Sequence, residues 1–239
     1  DSVALSQKAA ATKAEVIVFC GVRFMAETAN ILSPEKITLL PAADAGCQMF
    51  DDGLEHEVRQ LMAQRPEALL ESLLKNREIV FVPDGNLASF TAEKSGRQIT
   101  CWPGSCPIHG QLTVEDIQGA KAAHPEALVL MHPECTAAVR AKADYVGSTM
   151  GIIRYARQSP AAEFIIATEQ GVLYELAEQC PEKKFYLASR RMLCVNMKKT
   201  TLAKVKHALE TMEPRIIVPE EIRAKAAGAL KKMLEITGR

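Results

Sequence analysis

The stretch Ala127-Leu128-Val129-Leu130-Met131-His132-Pro133-Glu134-Cys135 runs five apolar residues straight into a polar, proline-bearing turn. An apolar run of this length without polar alternation marks a strand buried on both faces, as in a parallel sheet covered by helices. Comparable short runs stand at 15–19, 37–40, 79–82, 163–167 and 184–187, and the intervals between them carry helical periodicity. The chain is therefore expected to be α/β, assembled from strand–helix–strand units. His132 and Glu134 then lie where a parallel strand ends and a helix begins, the edge at which open α/β sheets bind ligands. A histidine and a carboxylate there suit acid–base work, although His-Pro-Glu by itself is also an ordinary helix-start signal.

Other helix boundaries are legible. Ser33-Pro34-Glu35 sets a cap residue before a proline and predicts a helix start, and Thr113 with Asp116 outlines a capping box ahead of Ile117. Residues 219–236 place Ile222, Ala226, Leu230, Met233 and Leu234 on one stripe, predicting a closing amphipathic helix. Gly147-Ser148-Thr149 follows the short apolar segment 144–146 and opens a helix, where hydroxyls and free backbone N–H groups form an anion site or a plain N-cap. Asp84 and Asn86, in Pro83-Asp84-Gly85-Asn86-Leu87, have the character of turn and cap residues.

Composition excludes several classes. Lys plus Arg and Asp plus Glu both number 29 in 239 residues, so no net charge favours nucleic acid or an anionic membrane. No apolar run approaches the roughly 18 residues of a membrane span, and the opening DSVALSQKAA has no secretory pattern, so a cytoplasmic location is expected. Seven cysteines, an odd number scattered through the chain, argue for reduced thiols rather than a disulfide framework.

Three of those cysteines stand in loop-like settings: Cys47 in PAADAGC, Cys106 in CWPGSCPIH and Cys194 in LCVNMKKTTL. Glycines, prolines or strand-to-helix breaks around each let a side chain project into a shared cleft, which suggests three ligands converging on one metal centre. Their wide separations match no short ligand motif, and spacing alone favours cysteine as a small buried hydrophobe. Cys20 and Cys101 fall at predicted strand ends and Cys180 precedes a proline, so all three are expected to be buried or partly buried thiols.

Taken in order, the segments 16–47, IVFVPDGNL, CWPGSCPIH, HPEC, DYVGSTMGIIRYAR, FIIATEQGVLYEL and CVNMKKTTL resemble the quinolinate synthase A family over nearly the whole chain. The resemblance implies three small three-layer αβα domains with parallel sheets around a pseudo-threefold axis. Residues 1–49 would be a remnant of the first domain, 50–109 a shortened second, 110–197 the third, and 198–239 helices closing the core. It also implies that Cys47, Cys106 and Cys194 hold a [4Fe-4S] cluster, with Cys135 outside the ligand set. Three thiolates on a cubane leave one iron open as a Lewis acid.

His132 and Glu134 become the implied catalytic pair. Ser2, His109, Ser148 and Thr149 join them as implied substrate contacts, His109 being alternatively a donor to a cluster ligand. The implied reaction condenses iminoaspartate with dihydroxyacetone phosphate to quinolinate in de novo NAD synthesis, a transferase activity, with a functional link to L-aspartate oxidase. Two family motifs have no match here. The opening histidine and tyrosine segment has none, and the Tyr-Val-Asn and Thr-Ser-Ser-Asn elements are replaced by the polar, helix-like interval 51–78. A shortened homologue that keeps a cluster without turnover, and a metal-free α/β scaffold, are the competing readings.

Overall fold

The computed structural model describes residues 2–51 and 79–237, with side chains from 3 to 50 and from 79 to 235. Residues 52–78 of the helix-like interval and the Ser2 side chain lie outside the described residues. The chain divides into two compact units, Asp1–Cys47 with Val195–Arg239, and Gln48–Cys194.

In the first unit, α1 (Ser2–Ala11) leads to β1 (Val16–Val18), α2 (Arg23–Leu32) and β2 (Ile37–Leu39). The two strands are parallel, with Val16 opposite Ile37 and Val18 opposite Leu39. The later segment around Arg215 adds to the same sheet: Leu39 and Arg215 form an antiparallel bridge, and the Ile216 N–H donates to Thr38 O at 2.8 Å. Phe19, Ala26, Ala29, Leu40 and Ile216 fill the core between them. Lys36 reaches back to the carbonyls of Ala9, Ala10 and Thr12, satisfying backbone oxygens that the end of α1 leaves open.

Ser33 starts no helix. Its N–H donates to Ala29 O at 3.0 Å and closes α2, and only a turn separates it from β2, so a new helix has no room there.

The second unit begins with α3 (Gln48–Asp51), then β3 (Ile79–Phe81), α4 (Gly85–Ser95), β4 (Ile99–Cys101), α5 (Pro107–Gly110) and α6 (Val114–Ala123). It continues with β5 (Leu128–Met131), α7 (Ala137–Arg140), β6 (Tyr145–Val146), α8 (Thr149–Gln158), β7 (Glu163–Ala167), α9 (Val172–Gln179) and β8 (Lys184–Leu187). β3 and β4 form a parallel pair, and β5 to β8 form a parallel sheet in the order β6-β5-β7-β8. The several small parallel sheets with packed helices confirm the α/β class.

The apolar run 127–131 is buried on both faces. Val129, Met131, Ile165 and Ala167 pack with Leu112, Ile117 and Val139, while Leu130, Phe164 and Ile166 pack with Ile152, Ile153 and Leu176. Alternate residues of the same strands thus feed two separate layers, which is why polar alternation is missing. The capping box at Thr113 and Asp116 is complete. The HPEC turn departs from expectation: it remains a turn, and the helix after it starts only at Ala137 with Thr136 as N-cap.

In the first unit again, α10 (Leu202–Thr211) and α11 (Glu220–Thr237) close the chain. On the expected stripe of α11, Ala226, Leu230 and Leu234 are half-buried, whereas Ile222 and Met233 are exposed. Among the described residues, no helix is long and apolar enough to cross a membrane.

Candidate functional site

The strand order of the second unit's sheet reverses between β5 and β7, and ligands of open α/β sheets bind beyond the carboxyl ends of the strands at such a reversal. Met131 closes β5 and Ala167 closes β7, in register with each other. The residues just past them therefore share one edge, and the His132 N–H donates across it to Ala167 O at 3.1 Å. His132, Glu134 and Thr168 all come from these two strand ends.

A second pair of loops delivers Cys106 and His109 to the same place. Beyond β3 and β4 the chain is pinned loop to loop, the Gly85 N–H donating to Gly104 O at 2.8 Å. A Cβ on Gly85 would stand 2.4 Å from Trp102 O, and one on Gly104 would stand 2.6 Å from Pro83 O, so the approach requires both glycines. Asp84 then spends each carboxylate oxygen on a backbone donor: Oδ1 accepts the Leu87 N–H at 2.7 Å and caps α4, and Oδ2 accepts the Cys106 N–H at 2.7 Å. Burial, reinforced by the nearby Glu134 charge, pushes the Asp84 carboxyl up despite those two donors.

His109 sits at the centre of the constellation. Its Nδ1 lies 3.2 Å from Cys106 Sγ and 2.9 Å from Glu134 Oε2, and its Nε2 lies 3.0 Å from Thr168 Oγ1. The ring stacks on His132 with centroids 4.4 Å apart, and His132 Nδ1 is 3.6 Å from Glu134 Oε2. His109 is only 7% exposed, so it is no surface histidine.

Burial works to raise the Glu134 carboxyl, but the hydrogen bond from His109 leads the effects that outweigh it and hold the group below its ordinary value. Burial also pushes His132 down to about 4, with repulsion from His109 adding and Glu134 opposing. An ionised carboxylate beside a neutral imidazole is an arrangement suited to taking a proton from one atom and returning it to another.

Ser148 and Thr149 occupy the same strand-end edge, beyond β6. Ser148 caps α8, accepting the Gly151 N–H at 3.2 Å, and the Gly147 N–H donates to Met131 O at 3.0 Å. Cys194 follows β8, and its N–H donates to Glu169 Oε1 at 3.2 Å. Cys47 follows β2 in the first unit, packed among Val22, Ala42, Ala45 and Met197. Met197 therefore has the packing role that a soft side chain fills readily.

Cys47, Cys106 and Cys194 are thiols outside any disulfide, each half-buried, on loops that follow strands. Each of these thiols by itself is the donor type that a soft iron centre takes. Cys135 and Cys180 are buried instead, and burial raises the Cys135 thiol to about 12. Cys20 and Cys101 are exposed, contrary to expectation, because their strands end one or two residues earlier or at the cysteine itself. Cys106, His109 and Glu134 also offer sulfur, nitrogen and oxygen atoms within 4.8 Å of one another, a group able to hold a metal ion.

Comparison with known proteins decides the family. The family model described as Quinolinate synthetase A protein matches residues 1–71 and 67–235. The chain belongs to the quinolinate synthase family. It is 45% identical to the quinolinate synthase of Desulforudis audaxviator, with 99% of this chain and 87% of that protein covered. It is 44% identical to the quinolinate synthase of Geobacter metallireducens, over 99% of this chain and 86% of that protein. Identity to the quinolinate synthase of Methanoregula boonei is 43%, over 99% and 87%. The alignment with the Desulforudis protein extends over 266 positions against 239 residues here, so that relative has residues where this chain has a gap. A role in NAD biosynthesis follows from membership of this family.

Several supporting residues are not singled out by the sequence patterns above. Thr168 and Glu169 directly follow the apolar run 163–167, and the strand-end signal that marks His132 applies to them equally. Arg140 has no signal in the sequence, since a helix-end arginine gives no sign that it bonds both the nearby HPEC turn and α4, 47 to 54 residues away.

Proposed function

We propose that the chain condenses iminoaspartate with dihydroxyacetone phosphate to form quinolinate, with release of phosphate and water. The observation that carries this reading is His109 Nδ1 standing between Cys106 Sγ and Glu134 Oε2 at the strand-order reversal of the second unit. A thiol ligand, a shared donor and an ionised carboxylate in one small volume suit a reaction built from eliminations and an imine closure.

Glu134 takes and returns protons during dehydration and closure, and neutral His132 beside it hydrogen-bonds the substrate. The N-terminus of α8, with Ser148 and Thr149, holds a carboxylate or phosphate; Ser2 is assigned to substrate binding by the family resemblance alone. Cys47, Cys106 and Cys194 are the ligands of a [4Fe-4S] cluster, with residues 1–49, 50–109 and 110–197 as three αβα domains and 198–239 as closing helices. When bound, the cluster supplies an open iron that acts as a Lewis acid toward a departing hydroxyl, with no net electron transfer. A cytoplasmic setting and a supply of iminoaspartate from L-aspartate oxidase belong to the same reading.

The gap relative to the relatives supports a second reading, a shortened homologue that keeps the cluster without turnover. Anaerobic reconstitution with iron and sulfide, followed by both substrates, separates the two. Visible iron–sulfur absorbance that disappears in Cys106→Ser, together with quinolinate formation, is the expected result. A loaded but inactive protein selects the second reading, and a colourless one overturns both.

A further inference from the structure

We propose that Thr168 is a positioning residue that selects the tautomer of His109: its hydroxyl donates to Nε2, so that the ring proton resides on Nδ1 and points at Glu134 and Cys106. Nδ1 is flanked by two acceptors, Glu134 Oε2 at 2.9 Å and Cys106 Sγ at 3.2 Å, whereas the hydroxyl that faces Nε2 can donate as well as accept, so the geometry puts the ring proton on Nδ1. In a neutral imidazole the other nitrogen is then a bare acceptor. Thr168 Oγ1 lies 3.0 Å from that nitrogen, and a hydroxyl can rotate to donate.

Thr168 is 2% exposed and His109 7%, so bulk water is excluded from taking over the hydrogen bond. A ring flip or a tautomer change would turn a lone pair toward the carboxylate and leave a buried donor or acceptor facing the wrong partner. The stack on His132 limits the ring to one plane, and Thr168 limits it to one orientation in that plane. Thr168 can do this because it follows Ala167, whose carbonyl is bonded to the His132 N–H; the selecting hydroxyl and the turn bearing Glu134 therefore share one rigid edge.

The tautomer does not depend on the proposed reaction; only its effect on turnover rests on that reading. The test is nitrogen NMR of the intact chain prepared without iron, with its 5 histidines labelled with ¹⁵N and His109 assigned by its loss in His109→Gln. At neutral pH, His109 is expected to show a protonated Nδ1 and a bare Nε2. Thr168→Ser should keep that pattern, and Thr168→Val should move it to a protonated Nε2 or an average of the two tautomers. In the iron-loaded protein Thr168→Val should lower kcat by about 10- to 100-fold with little change in KM, and Thr168→Ser should restore most of it.

A proton on Nε2 in the unmodified chain, or an unchanged His109 signal in Thr168→Val, overturns the assignment. A shifted tautomer with full kcat removes its catalytic consequence. The expected NMR pattern with no quinolinate from any variant sinks the functional reading and leaves Thr168 as the selector.

Discussion

Arg140 Nη1 donates to the carbonyl oxygen of Cys135 at 2.7 Å, and through it the buried guanidinium holds the turn that carries Glu134. The same nitrogen bonds Pro133 O at 3.2 Å and Asn86 O at 3.1 Å, while Nη2 pairs with Glu93 at 2.8 Å. One side chain thus fastens the HPEC turn to the start of α4, whose N-cap Asp84 holds Cys106. Arg140→Met should cost about 2–4 kcal/mol, since it strands buried carbonyls. Arg140→Lys should recover less than half of that, because a single ammonium cannot reproduce the planar fork. Denaturant midpoints measure both, and full recovery by lysine would contradict a role for the fork.

Glycines divide into two groups with opposite expected effects. Gly85→Ala or Gly104→Ala drives a methyl into backbone oxygen and should destabilise by about 1–3 kcal/mol. Gly119 and Gly228 lie within α6 and α11 with open space where an alanine methyl would stand, so alanine there should stabilise by about 0.5–1 kcal/mol. Thermal unfolding of the four single variants reads out the contrast, and equal signs for both groups would refute it.

His132 links stability to pH. Its value falls from 6.5 to about 4 on folding, so the folded state binds fewer protons than the unfolded one between those limits. The contribution, about 3 kcal/mol, is complete above pH 6.5 and is lost as pH falls toward 4. From pH 7.5 to pH 5 the unmodified protein should lose about 2 kcal/mol more than His132→Asn. Urea unfolding of both proteins at the two pH values provides the comparison; parallel losses would show that His132 is not held neutral.

Thiol labelling should sort the cysteines by setting. In chain prepared without iron, the exposed Cys20 and Cys101 should alkylate early. Cys135, fully buried with its thiol raised to about 12, should resist until unfolding. Mass spectrometry of a time course locates each adduct. Rapid modification of Cys135 in the folded chain would contradict its burial.

Much of the second unit's sheet is legible in the amino-acid order. The runs at 127–131, 163–167 and 184–187 are strands to within a residue, because burial on both faces leaves an uninterrupted apolar signature. β6 is two residues long, too short to carry a period, and is visible only as an apolar segment before a cap. Ser33 shows the opposite failure: its cap-and-proline pattern is satisfied by a turn, because the adjoining strand leaves a helix no length. On α11, Ile222 and Met233 lie on the expected stripe yet remain exposed, since periodicity places residues on a face without supplying a partner for each.

The amino-acid order determined that this chain is α/β, belongs to the quinolinate synthase family, and puts a histidine and a glutamate at the end of a buried apolar run. Those properties are written in local periodicity and in contiguous motifs. Tertiary structure alone decided that His109 serves Cys106, Glu134 and Thr168 together, that Asp84 anchors Cys106, and that Arg140 fastens the Glu134 turn. Each of these depends on a long-range hydrogen bond, His109 to Thr168 across 59 residues, Asp84 to Cys106 across 22 and Arg140 to Asn86 across 54, whose geometry of about 3 Å exists only once strands register and helices cover both faces of the sheet.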